Sequence, residues 1–298
     1  MGRMRRNRVR RLGAAIVIHT AGPFQGQSYA VPQACIGAGA HYLDLADGRA
    51  FVCGIKTLDA AARYNDVLVV SGASTLPALS SAVVDSLRSR FSSIDSIDHG
   101  ITSGAKPPGQ ATMTGVLAYA GKPLRLWRAG EWRSAFGWQG ITRRRYPSPV
   151  NARWIAHCDV PDLELFPERY RPVRSVQFRA GVGLAGSMFG IWAASWLVRA
   201  GLLRTLVTYV PNLHRAASAL ERYGSKCSAI SWSPGSPSDS RPAPIHDAER
   251  RRDQIGWISA RSRSLSITVV PIIPVAPATR ILFMEGEVIR SDLVCIVN

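Results

Sequence analysis

The sequence predicts an α/β fold, a parallel sheet covered by helices and followed by an α+β second domain, and three observations carry that expectation. Between residues 14 and 87, short apolar or β-branched runs alternate three times with segments of helical periodicity, joined by connections of a few residues. Such alternation belongs to parallel sheets, because each crossover returns the chain through a helix laid on the sheet face. Every run leads into a turn containing Gly, Asp or Ser, the residues that turn a chain between strand and helix. Finally, 298 residues with 46% hydrophobic content suffice for one large or two medium domains with a real core.

Residues 14–19 (AAIVIH) read as the first strand, ending in the turn Thr20-Ala21-Gly22-Pro23-Phe24. Ser28 is placed to cap the next helix, Pro32 is tolerable only in its first turn, and Gly39 ends it in a left-handed conformation. Residues 41–45 form the second strand, closed by Ala46-Asp47-Gly48. Phe51, Val52, Ile55, Leu58 and Ala62 then share one face of a helix over 48–64. Residues 67–71 are a third β-branched strand, followed by Gly72-Ala73-Ser74-Thr75, with Ser74 placed to cap a helix through Leu87.

Past Phe91 the pattern changes. Residues 94–101 and 176–180 are strand-like, and 109–120, 187–209 and 213–223 are helical. Residues 124–141 carry Trp127, Trp132 and Trp138, which read as sheet or interface anchors. From 225 to 266, 11 Ser, 6 Arg and 4 Pro occur without apolar periodicity, the composition of loop or disorder. Structure is expected to return around 267–283. The organisation is therefore a basic arm (1–11), a parallel-sheet domain (12–93), an α+β domain (94–224), a low-complexity segment (225–266) and a C-terminal segment (267–298).

The net charge of +17 is almost all arginine, with six arginines in the first eleven residues. A basic arm of that kind suits nucleic acid, an acidic membrane surface or a targeting role. The remaining charge is dispersed and not interleaved with aromatics, so nucleic-acid binding is not the expectation. Five widely spaced cysteines without a C-x-x-C pair read as thiols of a reducing compartment, hence a cytoplasmic protein with no metal site. His157, Cys158 and Asp159 are neighbours that point in different directions. Residues 180–198 are uncharged throughout and contain Gly186-x-x-x-Gly190, yet read as a buried helix rather than a membrane span.

In a doubly wound sheet, ligands bind beyond the carboxyl ends of the strands. Three such ends carry Gly22-Pro23-Phe24, then Asp44 and Asp47, then Gly72-Ala73-Ser74. Glycine lets backbone approach a ligand, and the carboxylates accept hydroxyl or ammonium protons. A rival stands at Gly181-Val182-Gly183-Leu184-Ala185-Gly186, a G-x-G-x-x-G between a strand and a helix, though no acid ends the next strand-like run and only Arg215 suits a 2′-phosphate. Ser74 lacks the second glycine of a hydrolase elbow. His99, near Asp95 and Asp98, reads as a surface-loop histidine.

The runs VIHTAGPFQGQSYAVPQACIGAGAHYLDLADGRAFV and VVSGASTLPALSSAVVD, continued by KPPGQATMTGVLAYAGKP and CDVPDLELFP, resemble saccharopine dehydrogenase-like oxidoreductases over residues 14–224. The resemblance implies an incomplete Rossmann-like sheet, NAD or NADP as cofactor, hydride transfer to or from an amine- or carbonyl-bearing small molecule, and a second domain that mediates homodimerisation. It implies that Gly22, Pro23, Phe24, Asp44, Gly72 and Ser74 border the cofactor and that Tyr42 and Asp47 lie toward the substrate cleft. It names no catalytic residue. Where the family opens with a strand and a Gly-rich turn that holds the pyrophosphate, this chain has MGRMRRNRVRR. The expectation is either an active NAD(P)-dependent oxidoreductase or a truncated member that has lost activity, with a late start or truncation accounting for the missing opening and residues 225–266 a frameshifted stretch. The alternative is a non-catalytic dimerising or peripheral membrane protein using the arginine arm and residues 180–198.

Overall fold

The computed structural model describes residues 2–88, 91, 93–146, 148, 150–224, 228–235, 258–260 and 294–297. The chain forms two compact units, Met1–Ala82 with Ser266–Asn298, and Val83–Leu265. Both mix helix and strand, so the fold class is α/β.

The first unit runs α1 (Gly2–Leu12), β1 (Ile16–His19), α2 (Ala30–Ala38), β2 (His41–Asp44), α3 (Arg49–Gly54), a 3₁₀ turn (Ile55–Leu58), α4 (Asp59–Tyr64) and β3 (Val69–Val70). The strands pair in the order C-terminal strand (Val294–Val297), β1, β2, β3, every pair parallel. Val17 lies opposite Tyr42, and His19 opposite Asp44. Side chains alternate along a strand, so these four share one sheet face. Val17 and the Tyr42 ring form its apolar half, packed with Ala14, Cys35 and Ala40 and flanked by Val9 of α1. Ile16, Ile18 and Leu43 on the other face are only half-buried, so the burial is one-sided.

The arginine arm is a helix. Arginine is a good helix former, no proline interrupts the run, and Arg10 Nη2 donates to Gly37 O at 2.8 Å, closing the carboxyl end of α2. Gly39 ends α2 at φ 77°, as its composition predicts. Ser28 does not cap it: Tyr29 occupies the N-cap position and makes no side-chain cap bond, while Pro32 falls in the first turn, where its missing N–H costs nothing. The segment 48–64 is helical in three joined pieces, tightening to 3₁₀ after Gly54, where Thr57 Oγ1 donates to the Gly54 carbonyl at 2.9 Å. Ser74 precedes a wide turn (Thr75–Leu79) that leads into α5 (Ser80–Arg88). Its hydroxyl bonds to Leu76 O rather than capping.

The second unit continues with β4 (Ser96–Thr102), α6 (Gln110–Leu117), β5 (Pro123–Arg128), β6 (Glu131–Phe136), β7 (Thr142–Arg145), β8 (Ala152–His157), α7 (Asp162–Arg169), β9 (Ser175–Gly181), α8 (Ala185–Arg199), a 3₁₀ turn (Val207–Tyr209), α9 (Val210–Leu220), β10 (Ser228–Gly235) and β11 (Ile258–Ala260). Its sheet has the order β11-β10-β4-β9-β5-β6, with β8 joining β7 to β9. Among the described residues of this sheet, β4 and β9 pair in parallel and the other strand pairs are antiparallel. Trp127 and Trp132 sit opposite each other across the β5–β6 hairpin with rings 5.1 Å apart, and the connecting Ala129 and Gly130 both have positive φ, the two-residue turn that matches strand twist.

Two parts of the serine-rich segment are strands. β10 runs antiparallel along the whole of β4, and β11 pairs with β10. The pairing comes from the exposed edge of β4, a partner that composition does not reveal. The expected return of structure at 267–283 lies outside the described residues. Residues 180–198 divide between β9 and α8, and no helix among the described residues is long and apolar enough to cross a membrane.

Candidate functional site at the carboxyl ends of the parallel strands

Because β1, β2 and β3 point the same way, their trailing loops share one rim, and backbone contacts tie them together. Leu45 N donates to His19 O at 3.4 Å, and Ala73 N to Asp44 O at 2.9 Å. Gln25 Nε2 reaches Asp47 Oδ1 at 3.3 Å. Gly48 lies so close that a Cβ there would stand 3.4 Å from the Gln25 nitrogen. Gly22, Pro23, Phe24, Asp44, Asp47, Gly72 and Ser74 therefore lie at this strand end, and Tyr42 stands two residues before it within β2.

Asp44 is the hub. It is fully buried, and its Oδ1 accepts from Ala46 N (2.9 Å), Ser71 Oγ (3.0 Å) and Gly72 N (2.8 Å), gathering donors from two loops onto one oxygen. Its Oδ2 is buried and has no hydrogen-bond partner of ordinary geometry among the described residues. Gly72 holds φ 80°, and a Cβ there would lie 2.6 Å from Pro77 Cδ, so both conformation and space require glycine.

Beside Asp44, His19 Nδ1 and the Tyr42 hydroxyl are joined by a hydrogen bond of 2.9 Å. The Phe24 ring stands edge-on to His19 at 5.1 Å and also packs on Phe51, closing the apolar side. Burial lowers the His19 pKa, with Asp44 opposing and Arg5 assisting, so the imidazole is held neutral. Burial, then the neighbouring Asp44 charge, raises the Tyr42 pKa, so the phenol keeps its proton. Burial also raises the Asp47 pKa against the bond from Gln25. The arrangement is a neutral donor–acceptor pair next to a carboxylate, suited to holding or passing a proton.

No protein-family model and no curated protein matches this chain.

The other candidates have structural explanations. Gly181-Val182-Gly183 does connect strand β9 to helix α8. However, a Cβ on Gly181 would strike the Trp154 carbonyl, and one on Gly183 would lie 2.5 Å from the Gly104 carbonyl carbon. Close backbone packing accounts for both glycines without a ligand. His99 is not in a surface loop: it lies inside β4, fully buried, with Nε2 2.8 Å from Asp162 Oδ2 and its ring against Phe166 and Phe178. Sequence reasoning missed His19 and Ser71. The available signal was positional, since His19 ends the first strand as Asp44 ends the second.

Proposed function

We propose that the chain acts as a saccharopine dehydrogenase-like oxidoreductase with NAD or NADP at the rim of the parallel sheet and an amine- or carbonyl-bearing small molecule beside it. The observation that carries this reading is the convergence of three strand-end loops on buried Asp44, next to the His19–Tyr42 pair. When bound, the nicotinamide would supply or accept the hydride. Gly22, Pro23 and Phe24 would form one wall, Gly72 and Ser74 the opposite rim, and Asp44 and Asp47 would orient hydroxyl or amine groups. The His19–Tyr42 pair would hold the exchanged proton.

The residues fit the nicotinamide and ribose end better than the pyrophosphate end. In the loop after β1, Gly22 N already bonds to Thr20 O (3.0 Å) and Gln27 N to Phe24 O (3.2 Å), while Gln27 Nε2 spans the Ala21 and Pro23 carbonyls. Those donors are spent internally rather than aimed at a phosphate. Arg10 lies at the far end of α2, against Gly37, and Arg6 packs there too. Weak binding follows from this reading. Fluorescence titration with NADH and NADPH is expected to saturate, and Asp44→Asn to weaken it about tenfold, roughly 1.4 kcal/mol. Absence of saturable binding by either nucleotide to a chain folded by circular dichroism would overturn the assignment. A cytoplasmic location belongs to the same proposal, supported by five widely spaced cysteines without a C-x-x-C pair.

A second reading has its own observation. Phe189, Trp196 and Leu197 of α8, with Leu202 and Tyr209 beyond it, are exposed large apolar side chains in a stretch that also carries Arg199 and Arg204. Such a surface suits a second copy of the chain or an acidic lipid surface. Sedimentation with anionic vesicles that weakens with salt, together with no nucleotide binding, favours this reading over the enzyme.

A further inference from the structure

The larger sheet gathers guanidinium groups around too few acceptors. Arg144 of β7 pairs with Asp98 of β4, Nη2 to Oδ2 at 2.5 Å, which occupies that carboxylate. Arg179 of β9 reaches the same group only at 3.5 Å. Its shorter bond, 2.8 Å, goes from Nη2 to Gln177 Oε1, and Arg128 of β5 donates from Nη2 to the same oxygen at 3.1 Å. Two cations thus converge on one neutral amide. Among the described residues, the Nε groups of both are buried without a partner, as are Nε and Nη2 of Arg153, which stands opposite Arg144 in the β7–β8 register.

A buried or half-buried guanidinium normally keeps a carboxylate or phosphate within its fork, because desolvating an uncompensated charge is costly. The field of this cluster is felt nearby. His157, opposite Arg179 in the β8–β9 register, has its pKa pushed down to about 4, first by burial and then by Arg179 and Arg128, against Asp98. The cluster is not sealed: the Asp98 side chain is 36% exposed and that of Arg179 is 14% exposed, which leaves an approach from solvent.

We propose that Arg128 and Arg179 form a binding site for an oxyanion group of a small molecule, a carboxylate or a phosphoryl group, seated between the two guanidiniums beside Gln177. The oxygens of such a group accept the parallel N–H donors that the single Gln177 oxygen cannot satisfy. Asp98 competes with the ligand for Arg179, and Gln177 orients both arginines. The site lies wholly within the second unit and stands independently of the nucleotide reading.

Isothermal titration of the full chain at low ionic strength, with inorganic phosphate and separately with succinate, tests this directly. Saturable one-site binding of phosphate alone assigns a phosphoryl ligand, and of succinate alone a carboxylate ligand. Arg179→Gln is expected to reduce affinity at least tenfold, and Asp98→Asn to raise it several-fold. Gln177→Glu supplies the missing carboxylate from within, so it is expected to abolish anion binding while raising the Tm of the anion-free protein. Because that variant strengthens the cluster, lost binding cannot be ascribed to unfolding. The proposal is overturned if neither anion binds saturably, if chloride at equal ionic strength gives the same heat, or if Gln177→Glu binds as the parent does.

Discussion

The two units solve opposite problems of polar satisfaction. At the rim of the small parallel sheet, one carboxylate collects three donors on a single oxygen, and the groups around it are held neutral. On the larger sheet, donors outnumber acceptors, and Arg128 and Arg179 share one amide oxygen. The first arrangement fixes loops in place, since two of the three bonds cross from the second strand end to the third and the other holds the loop after the second strand. The second leaves unmet charge. Backbone N–H groups supply fixed donors that need only one acceptor, whereas long cationic side chains bring several donors and a full charge each.

The sharpest way to break this contrast is at its hub. Asp44→Ala removes the acceptor of three buried donors and is expected to cost about 3–5 kcal/mol in urea unfolding, whereas Asp44→Asn retains one acceptor oxygen and is expected to cost about 1–2 kcal/mol. Equal, small losses would mean that the rim loops hold themselves without it.

The cationic side is tested by pH. His157 is buried and stays unprotonated in the folded chain down to about 4, while in the unfolded chain it protonates near the ordinary value of 6.5. The unfolded state therefore binds more protons between those values, so stability falls as pH drops through that window and levels off below it. The expected loss is about 3 kcal/mol. His157→Gln is expected to flatten that part of the profile; an unchanged profile would show that burial and the nearby arginines together do not hold the ring unprotonated.

Smaller effects mark the edges of the comparison. Gly72→Ala is expected to cost about 2 kcal/mol in thermal or urea unfolding, because its φ of 80° and the nearby Pro77 both oppose a side chain. Asp59→Ala, which removes an exposed i,i+4 partner of Arg63, is expected to change stability by less than about 0.5 kcal/mol. A large loss there would undercut the distinction between buried networks and surface pairs.

What was legible in the sequence followed from local chemistry. The strands β1, β2 and β3, the left-handed Gly39 and the convergence of Gly22, Asp44 and Gly72 all rest on β-branched runs and turn residues a few positions apart. His99 was misread for the opposite reason: Asp95 and Asp98 are its neighbours in the chain, but its partner is Asp162, 63 residues away. β10 was hidden because its Ser- and Pro-rich composition lacks alternation and its pairing is supplied by β4. The arginine helix α1 has few apolar residues and is read as an arm until Gly37 and the Val9 contact give it a place to pack.

By itself, then, the order of residues determined the α/β class, the parallel direction of the first strands and which loops end at their common rim, because a strand followed by a short turn and a helix admits few geometries. Tertiary structure alone decided that His19 meets Tyr42, that Asp44 serves two loops, and that arginines from β5, β7 and β9 crowd together. Those contacts depend on register across separate strands, and a shift of one residue would turn each of these side chains to the other face.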